Sequence, residues 1–409
     1  MFTEVQIENY KSIQNLKIGL GRVNVFIGEN GCGKSNILEA IALASAAAAD
    51  KLDNEFLYPR GIRVTEPEFM RSAFDKENIS KDIKINLKKK QKENLEEESN
   101  LQFIIRHDNQ PYSNWLQAGV IGKLDVLNWV PQGVTSQYEK VALNLKSSEE
   151  TERIAKITQD FFESQFGEKF SYDAISYFLY NLKNKYIQYS DEVKHFIIYS
   201  PENSLLRIFA EEAQIQPLGT RGEGLLKLLR VLSDNQDKIN EIKQRLKLID
   251  WFDDFKLSVD SELERIIQIK DRYLDKELPY FNQRSSNEGF LFLMFYFALF
   301  VSDNTPKFFA IDNIENSLNP KLCTKLIQEL VELAKKYEKQ VIFTTHNPAI
   351  LDGLDLHDDE QRLFVIYRNI DGHTKAKRVY APEPLEDDDP VPLSEAFMNG
   401  YIGGLPNNF

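Results

Sequence analysis

The fold is decided by Gly28-Glu29-Asn30-Gly31-Cys32-Gly33-Lys34-Ser35, which follows the apolar run Val23-Asn24-Val25-Phe26-Ile27. These eight residues match the pattern G-x-x-x-x-G-K-S, and the residues around them predict a strand before the loop and a helix after it. In this setting the backbone N–H groups of the loop and the N-terminus of the helix present unpaired donors and positive potential to an anion. The stretch therefore predicts a phosphate-binding loop in an α/β fold.

The residues of this loop have separate expected roles in binding a nucleoside triphosphate, for which we predict ATP with Mg²⁺. Lys34 is expected to reach the β and γ phosphates, and the Ser35 hydroxyl is expected to ligate Mg²⁺. The remaining predicted contacts to the nucleotide come from Gly28, Asn30, Gly31, Cys32, Gly33 and Asn36. The alternative is a glycine-rich turn without a ligand, which the intact strand, loop and helix context disfavours.

The composition is that of an ordinary soluble protein. With 409 residues, of which 42% are hydrophobic, the chain can bury one large core or two smaller ones. The longest apolar stretch, Gly289 to Val301, is shorter than a membrane span and predicts a buried helix. The start of the sequence has neither a basic leader nor an apolar signal core, so we expect a cytoplasmic protein without membrane contact.

The charge balance narrows the range of partners. A formal net charge of −13 argues against coating nucleic acid over the whole surface, because such binding draws on many Lys and Arg contacts to phosphates. The dense basic run Lys88 to Lys92 lies beside the acidic segment Glu93 to Glu98 and predicts a solvated hairpin tip or loop. A local DNA contact there stays open. The two cysteines, Cys32 and Cys323, cannot build a metal cluster.

The periodicity of apolar residues predicts α/β order at both ends of the chain. Near the N-terminus we expect three strands and a helix, and near the C-terminus alternating strands and helices. An antiparallel pair is predicted at Asp82 to Leu87 and Leu101 to His107, because apolar and polar residues alternate there. Two charged segments, Ser147 to Tyr189 and Asp237 to Lys270, show helical spacing, and the second is long enough for a short antiparallel helical pair.

The catalytic groups of an ATPase site are predicted at the ends of two later strands. Asp312 follows a buried apolar run and is the candidate for the carboxylate that, with Ser35, would hold the metal. The next residue is Asn313, an amide that can orient water but cannot accept its proton, so slow hydrolysis is expected. Glu315 either takes over as the catalytic carboxylate or caps the following segment. His346 ends a second apolar run and is expected near the γ-phosphate.

Together these motifs resemble the ABC-type ATPase heads of the RecF, Rad50 and SMC group over most of the chain. The opening VQIENYKSI (residues 5–13) is similar to the opening of that group, His346 resembles its switch histidine, and Leu318-Asn319 falls where its D-loop lies. The segment Ser285 to Gly289 resembles a degenerate signature motif, in which Ser286 and Gly289 would contact nucleotide. The resemblance implies a homodimer or higher homo-oligomer, in which the signature of one head closes over ATP held by another.

Within that group the sequence is similar to the compact ATPases of bacterial anti-phage systems, the PtuA-like proteins of Septu and retron-linked systems. The likeness lies in LGTRGEGLLKLL (residues 218–229), FAIDNIENSLNP (residues 309–320), THNPAILDGL (residues 345–354) and GYIGGLPNNF (residues 400–409). It implies an ATP-dependent regulator or scaffold for a separately encoded, PtuB-like HNH nuclease. The alternatives are a RecF-like repair ATPase that clamps DNA and an assembly protein that hardly turns over ATP.

We therefore predict one α/β head of the ABC type, a mixed sheet with flanking helices, formed by residues 1–50 and 216–409. Residues 51–215 are predicted to form an inserted antiparallel lobe, part of which belongs to the head, and a helical region that offers partner contacts. We expect no intrinsic nuclease, because the acidic runs at residues 358–360 and 387–389 fit solvated turns better than a metal site.

Overall fold

The computed structural model describes residues 1–90, 98–122, 191–209, 217–257, 266–381 and 391–405. The predicted helical segment Ser147 to Tyr189 and the acidic run at residues 387–389 lie outside the described residues. In chain order the strands are β1 Phe2–Tyr10, β2 Ile13–Gly19, β3 Val23–Ile27, β4 Ile83–Lys90, β5 Glu98–Arg106, β6 Leu116–Gly122, β7 Ile198–Tyr199, β8 Phe252–Leu257, β9 Ile267–Asp271, β10 Phe281–Asn282, β11 Phe308–Ile311, β12 Gln340–Thr345, β13 Gln361–Arg368 and β14 Thr374–Val379.

The α-helices, in the same order, are α1 Lys34–Ala48, α2 Asn54–Leu57, α3 Pro67–Met70, α4 Asn203–Arg207, α5 Leu225–Ser233, α6 Gln236–Leu246, α7 Glu288–Val301, α8 Pro320–Lys336 and α9 Leu393–Met398. Short 3-10 helices lie at Tyr58–Arg60, Lys76–Ser80, Gln283–Ser285 and Pro348–Gly353.

A six-stranded sheet in the order β14-β13-β3-β12-β11-β7 forms the centre of the molecule. Within the described ranges its strands pair in parallel, except that β14 at the edge runs antiparallel to β13. All residues of β3, β11 and β12 are buried, as parallel strands covered on both faces require. The N-terminal strand β3 thus lies among strands of the C-terminal third, and the predicted mixed α/β head is confirmed.

Alternate side chains of this sheet enter two hydrophobic cores. Val25 and Ile27 join one core together with α7, whereas Phe26 joins the other with α1, which is the alternation of a β-strand. Helix α7 is apolar on all sides and every residue from Phe290 to Val301 is buried, so the predicted buried helix is confirmed. In the part of the chain that the structure describes, no helix combines the length and apolar character needed to cross a membrane.

A second, antiparallel sheet has the strand order β2-β1-β4-β5-β6. Strands β4 and β5 pair along their whole length, so the antiparallel pair predicted from alternating residues is confirmed. The basic run predicted at a hairpin tip begins on β4, where Lys88 contacts Glu4 at 3.0 Å and Lys89 contacts Glu192 at 2.9 Å. These two lysines therefore have carboxylate partners within the protein.

The prediction of helix from Asp237 to Lys270 is wrong beyond α6. There the chain forms the hairpin strands β8 and β9, which make a three-stranded sheet with β10. The ring of Phe252 packs in the core 5.2 Å from that of Phe290, and Lys270 contacts Asp253 across the strands at 2.6 Å. The high charge content resembles that of an exposed helix, but burial of apolar side chains on one face against α7 selects strands.

One buried side chain joins the two large sheets. The amide of Gln340, at the start of β12, donates to the carbonyls of Phe2 at 2.7 Å and Gly21 at 2.8 Å, and its oxygen accepts from the Phe2 N–H at 2.8 Å. Gln340 is only 4% exposed, so solvent cannot replace these bonds. The side chain thereby fixes β1 of the antiparallel sheet to β12 of the central sheet.

We predict that Gln340→Met lowers the free energy of unfolding by roughly 2–4 kcal/mol, because it leaves two carbonyls and one N–H buried without partners. Chemical denaturation followed by circular dichroism measures the change. The control is Gln328→Met on the exposed face of α8, for which we expect a change of no more than about 0.5 kcal/mol. Equal effects of the two substitutions would contradict the role of Gln340 as the tie between the sheets.

Candidate nucleotide-binding site

The phosphate loop lies at the carboxyl end of β3, between β12 and β13. Two of its glycines cannot be replaced by a larger residue, because a Cβ atom there would clash with neighbouring strands. A Cβ at Gly28 would lie 2.1 Å from the Ile366 carbonyl oxygen, and a Cβ at Gly33, whose φ is 109°, would lie 2.1 Å from Thr374 Oγ1. Both approaches are too close for any larger residue. The loop thus packs tightly on β13 and β14, and α1 begins directly after it at Lys34.

Side chains outside the loop hold its backbone. Thr374 Oγ1 donates to the Cys32 carbonyl at 2.8 Å and lies 2.6 Å from the Ser12 hydroxyl. Arg368 Nε donates to the Gly31 carbonyl at 2.9 Å. Sequence reasoning did not identify these three residues. Ser12 lies in the opening segment at residues 5–13, which was a usable signal, whereas Thr374 and Arg368 belong to strand ends without a motif.

Lys34 is buried at the start of α1, where its ammonium group donates to the carbonyls of Gly28 at 2.9 Å and Glu29 at 3.1 Å. Burial lowers the pKa of Lys34, against the opposing attraction of the nearby Asp312 and Glu315 carboxylates. The ammonium group therefore lies inside the curve of the loop, within electrostatic reach of the acidic residues that follow β11.

Ser35 and Asp312 meet although they are 277 residues apart in the sequence. The Ser35 hydroxyl donates to the Asp312 carboxylate at 3.2 Å, and Thr344 Oγ1 donates to its other oxygen. Thr344 Oγ1 also accepts from the Asn313 N–H at 2.9 Å, which fixes the start of the following turn. A hydroxyl beside a carboxylate is an oxygen set that suits Mg²⁺, so these residues fit the expected metal.

The segment after β11 turns at Asn313, whose φ of 55° is left-handed, a conformation that asparagine adopts more readily than glutamate. Glu315 accepts from the His346 N–H at 2.8 Å with one carboxylate oxygen. Its other oxygen is buried without a hydrogen-bond partner among the described residues. The following helix, α8, is capped by Asn319. A buried oxygen without a partner is costly, and it favours a functional role for Glu315.

His346 lies directly after β12, with its backbone held by Glu315. Partial burial and the positive charge of Lys34 lower the pKa of His346, and the Glu315 and Asp312 carboxylates oppose this shift without cancelling it. Because the usual pKa of histidine is about 6.5, this lowering favours the neutral imidazole at pH 7. The structure thus gathers Lys34, Ser35, Asp312, Glu315 and His346 at one edge of the central sheet.

The predicted signature segment, Ser285 to Gly289, lies beside the C-terminal end of the loop that joins β11 to α8. Asn287 caps α7, and the Ser286 hydroxyl is buried without a hydrogen-bond partner in the described part of the chain. A Cβ at Gly289 would lie 3.1 Å from the Ser317 carbonyl oxygen. The segment therefore packs beside the predicted D-loop, Leu318-Asn319, whereas Lys34, Ser35 and Asp312 gather at the phosphate loop.

An open groove of about 430 Å³ begins beside the phosphate loop and was not predicted from the sequence. The described residues that line it include four basic side chains and no acidic one, and the ring of Phe74 is half exposed there. A groove of this kind suits a ligand that carries negative charge and an aromatic ring. Its lining residues include Lys11, Ser12, Asn36, Arg63, Phe74 and Arg368.

The acidic run at residues 358–360 is paired with basic side chains of the protein. The pairs are Asp358 with Lys335, Asp359 with Arg362 and Arg378, and Glu360 with Arg22. Among the residues that the structure describes, no group of three His, Cys, Asp or Glu side chains could hold a metal ion.

The fold is that of an ABC-type P-loop ATPase head, as the motifs predicted. The sequence profile of the AAA ATPase domain family matches residues 1–351, and the chain belongs to that family.

Curated relatives include proteins named DNA replication and repair protein RecF. The protein from Bacillus cereus (strain G9842) is 31% identical over 109 residues, and that from Bacillus thuringiensis (strain Al Hakam) is 30% identical over 109 residues. Each match covers 25% of this chain and 28% of the relative. The match thus spans little more than a quarter of the length of these relatives.

Solved structures with a similar fold include two Smc heads. The Smc head bound to the C-winged helix domain of ScpA is 13% identical, with a TM-score of 0.54, and the likeness covers 93% of this chain and 97% of that chain. The Smc head domain with an extended coiled coil, bound to the C-terminal domain of ScpA from Pyrococcus furiosus, is 14% identical, with a TM-score of 0.50 and 93% and 96% covered. At this identity the likeness shows the fold.

We predict that Lys34→Ala raises the pKa of His346 and that Glu315→Gln lowers it further, because the ammonium group repels the imidazolium form and the carboxylate attracts it. NMR titration of the imidazole C–H resonances, assigned with His346→Gln, measures both shifts. Glu360→Gln removes an equal charge from the salt bridge with Arg22 and is expected to leave the pKa unchanged. Shifts of the same sign in the two site variants would contradict the described arrangement.

Proposed function

We propose that the chain is an ATP-operated switch with slow turnover, which controls a separately encoded nuclease in a bacterial anti-phage system. The main observation in support of an ATP site is the contact of Ser35 with Asp312 beside the phosphate loop. This contact brings a carboxylate that can bind a metal next to the loop that would bind the phosphates. The likeness of four sequence segments to PtuA-like proteins supports the role in defence.

Different residues of the site are suited to ATP and to Mg²⁺. Lys34 and the N–H groups of the loop would hold the phosphates, and Ser35 with Asp312 would hold the metal. When bound, Mg²⁺ neutralises phosphate charge. The basic groove beside the loop would take the part of the nucleotide that extends from the loop, with its cations toward the phosphates and Phe74 offering an aromatic face to the base. The chain itself thus supplies the cradle, the metal ligands and the shape of the groove.

Slow hydrolysis follows from the residues after Asp312. Asn313 places an amide where a general base is needed, and an amide cannot take a proton from water. Glu315 has one oxygen held by the His346 N–H and one buried oxygen that has no partner among the described residues. We assign to this second oxygen the role of accepting the proton from the attacking water. Its displaced position, two residues beyond Asn313, is our reason for expecting slow turnover.

We predict that the wild-type chain releases phosphate at less than about one event per second, which is at the low end for enzymes. Lys34→Ala is expected to abolish release through loss of ATP binding. Glu315→Gln is expected to keep ATP binding but to lower release at least about tenfold, because the base is lost. A coupled phosphate assay, combined with fluorescent-nucleotide binding, separates the two effects.

The matched control for Glu315→Gln is Glu332→Gln, which removes an exposed carboxylate on α8 and is expected to leave both quantities unchanged. Turnover of many events per second would contradict the slow switch. Unchanged phosphate release in Glu315→Gln would make this carboxylate structural.

The proposed working unit is a homodimer or higher homo-oligomer with ATP between heads. Support comes from Ser286, whose buried hydroxyl has no partner within the described residues, and from Gly289 beside the Ser317 carbonyl. In such a unit the N-terminus of α7 would face the nucleotide of the second head. Residues 51–215 are the proposed insertion that offers contacts to the nuclease, while residues 1–50 and 216–409 build the head.

We predict that a tagged chain expressed from its native operon co-purifies with a small HNH nuclease of the PtuB kind. The Lys34→Ala complex is expected to keep the nuclease bound but to lose ATP control of DNA cleavage, because nucleotide occupancy is the proposed signal. Pull-down followed by a cleavage assay with and without ATP measures both. Recovery of the ATPase alone under every nucleotide condition would contradict the proposal.

A second candidate function is that of an ATPase that clamps DNA during repair, favoured by the identity to proteins named RecF. The net charge of −13 and the carboxylate partners of Lys88 and Lys89 speak against it. Filter binding of duplex DNA with ATP present tests it. Retention that falls steeply with added salt would support the clamp, whereas no retention even at low salt would exclude it.

A further inference from the structure

Glu39 on α1 is a buried carboxylate beside the groove, with a side chain only 2% exposed. One of its oxygens accepts from Lys11 Nζ and from the Tyr10 hydroxyl, the latter at 3.3 Å. The other oxygen accepts from Arg63 Nε at 2.5 Å. A carboxylate this deep is stable only with paired charges and hydrogen bonds, and Glu39 has both.

The two cations that Glu39 contacts both line the groove that begins at the phosphate loop. The Lys11 ammonium group also donates to the Arg63 carbonyl at 2.8 Å, which links the two residues. The Arg63 side chain is 65% exposed, so without a fixed partner its guanidinium group would sample many rotamers. Contact with the rigid, buried Glu39 therefore sets the direction in which both cations point.

Arg63 also begins a chain of hydrogen bonds that ends on the phosphate loop. Its Nη2 donates to Asn36 Oδ1 at 3.0 Å, and Asn36 Nδ2 donates to Ser12 Oγ at 2.7 Å. Ser12 Oγ lies 2.6 Å from Thr374 Oγ1, which donates to the Cys32 carbonyl at 2.8 Å. Since Thr374 uses its proton on Cys32, Ser12 must be the donor in their shared bond. The chain therefore has one consistent direction from Arg63 to the loop.

We propose that Glu39 is a positioning residue of the nucleotide site, which holds Lys11 and Arg63 toward the phosphates of a bound nucleotide and secures the hydrogen-bond chain to the phosphate loop. This inference rests on the proposed nucleotide binding at Lys34. Glu39 is not itself a nucleotide contact, and it acts mainly through Arg63.

The sign of the effect of Glu39→Gln on ATP binding distinguishes positioning from simple electrostatics. Removing a negative charge near a phosphate site strengthens anion binding through Coulomb attraction alone. Removing the group that orients two cations weakens binding instead, because charge-assisted hydrogen bonds depend on geometry. The two explanations thus predict opposite changes in the dissociation constant.

The test measures the binding of mant-ATP, a fluorescent ATP analogue, with Mg²⁺ to full-length variants. Glu39→Gln is expected to weaken binding about tenfold, and Glu39→Asp, which keeps the charge, about twofold to threefold. Arg63→Ala alone is expected to weaken binding about tenfold. The double variant Glu39→Gln with Arg63→Ala is expected to bind less than about threefold more weakly than Arg63→Ala, because the effect of Glu39 passes through Arg63.

Thermal unfolding of the same variants separates positioning from folding. Glu39→Gln removes the buried carboxylate that pairs with the Lys11 charge, so the Tm is expected to fall in both the wild-type and the Arg63→Ala background. Glu4→Gln is the matched control, because Glu4 also contacts two lysines, Lys17 and Lys88, at the opposite end of β1. This control is expected to bind mant-ATP as the wild type does.

Tighter binding by Glu39→Gln, or a tenfold loss that persists in the Arg63→Ala background, would overturn the proposal. If Lys34→Ala weakens mant-ATP binding while Glu39→Gln binds like the wild type, the role of Glu39 alone is refuted. If the wild type binds mant-ATP no better than Lys34→Ala does, the proposed nucleotide site fails, and the role of Glu39 fails with it.

Discussion

The contact between the Ser35 hydroxyl and the Asp312 carboxylate is the constraint on which the rest of the structure depends. The two residues follow β3 and β11, and β12 pairs in parallel with both of these strands. Because parallel strands end at the same edge of a sheet, the loops after β3 and β11 meet there and form a crevice. The chain between β3 and β11 includes strands β4, β5 and β6 of the antiparallel sheet, and this insertion leaves the shared edge of the central sheet intact.

The side chains of Thr344 and Glu315 connect the end of β12 to the turn after β11 by hydrogen bonds. Thr344 bonds both the Asp312 carboxylate and the Asn313 N–H, and Glu315 bonds the His346 N–H. The end of β12 and the turn after β11 are thereby linked, so a ligand that displaces one of them displaces the other. This coupling suits the proposed switch. A nucleotide bound at the phosphate loop would shift the turn after β11, and that turn leads to the predicted signature segment.

Parts of this site could be predicted because their signals are local. The phosphate loop, Asp312 and His346 each follow a short apolar run whose length and composition indicate a buried strand. The hairpin of β8 and β9 could not, because its charge content resembles an exposed helix and only packing against α7 decides between the two. The groove depends on contacts such as that of Ser12 with Thr374, which are 362 residues apart, and no local pattern encodes them. Glu39 lies in a predicted helix, where a carboxylate is usually exposed. Its burial depends on contacts with Lys11 and Arg63, which the local sequence does not indicate.

The Mg²⁺ dependence of ATP binding tests most directly whether both ends of the chain build one site. The measurement titrates mant-ATP against the wild type, Ser35→Ala, Asp312→Asn and the double variant, in Mg²⁺ and in EDTA. A shared ion predicts that each single substitution removes most of the enhancement by Mg²⁺ and that the double variant loses no more than either. Additive losses in the double variant, or enhancement by Mg²⁺ that survives Asp312→Asn, would contradict a single metal held between the two ends of the chain.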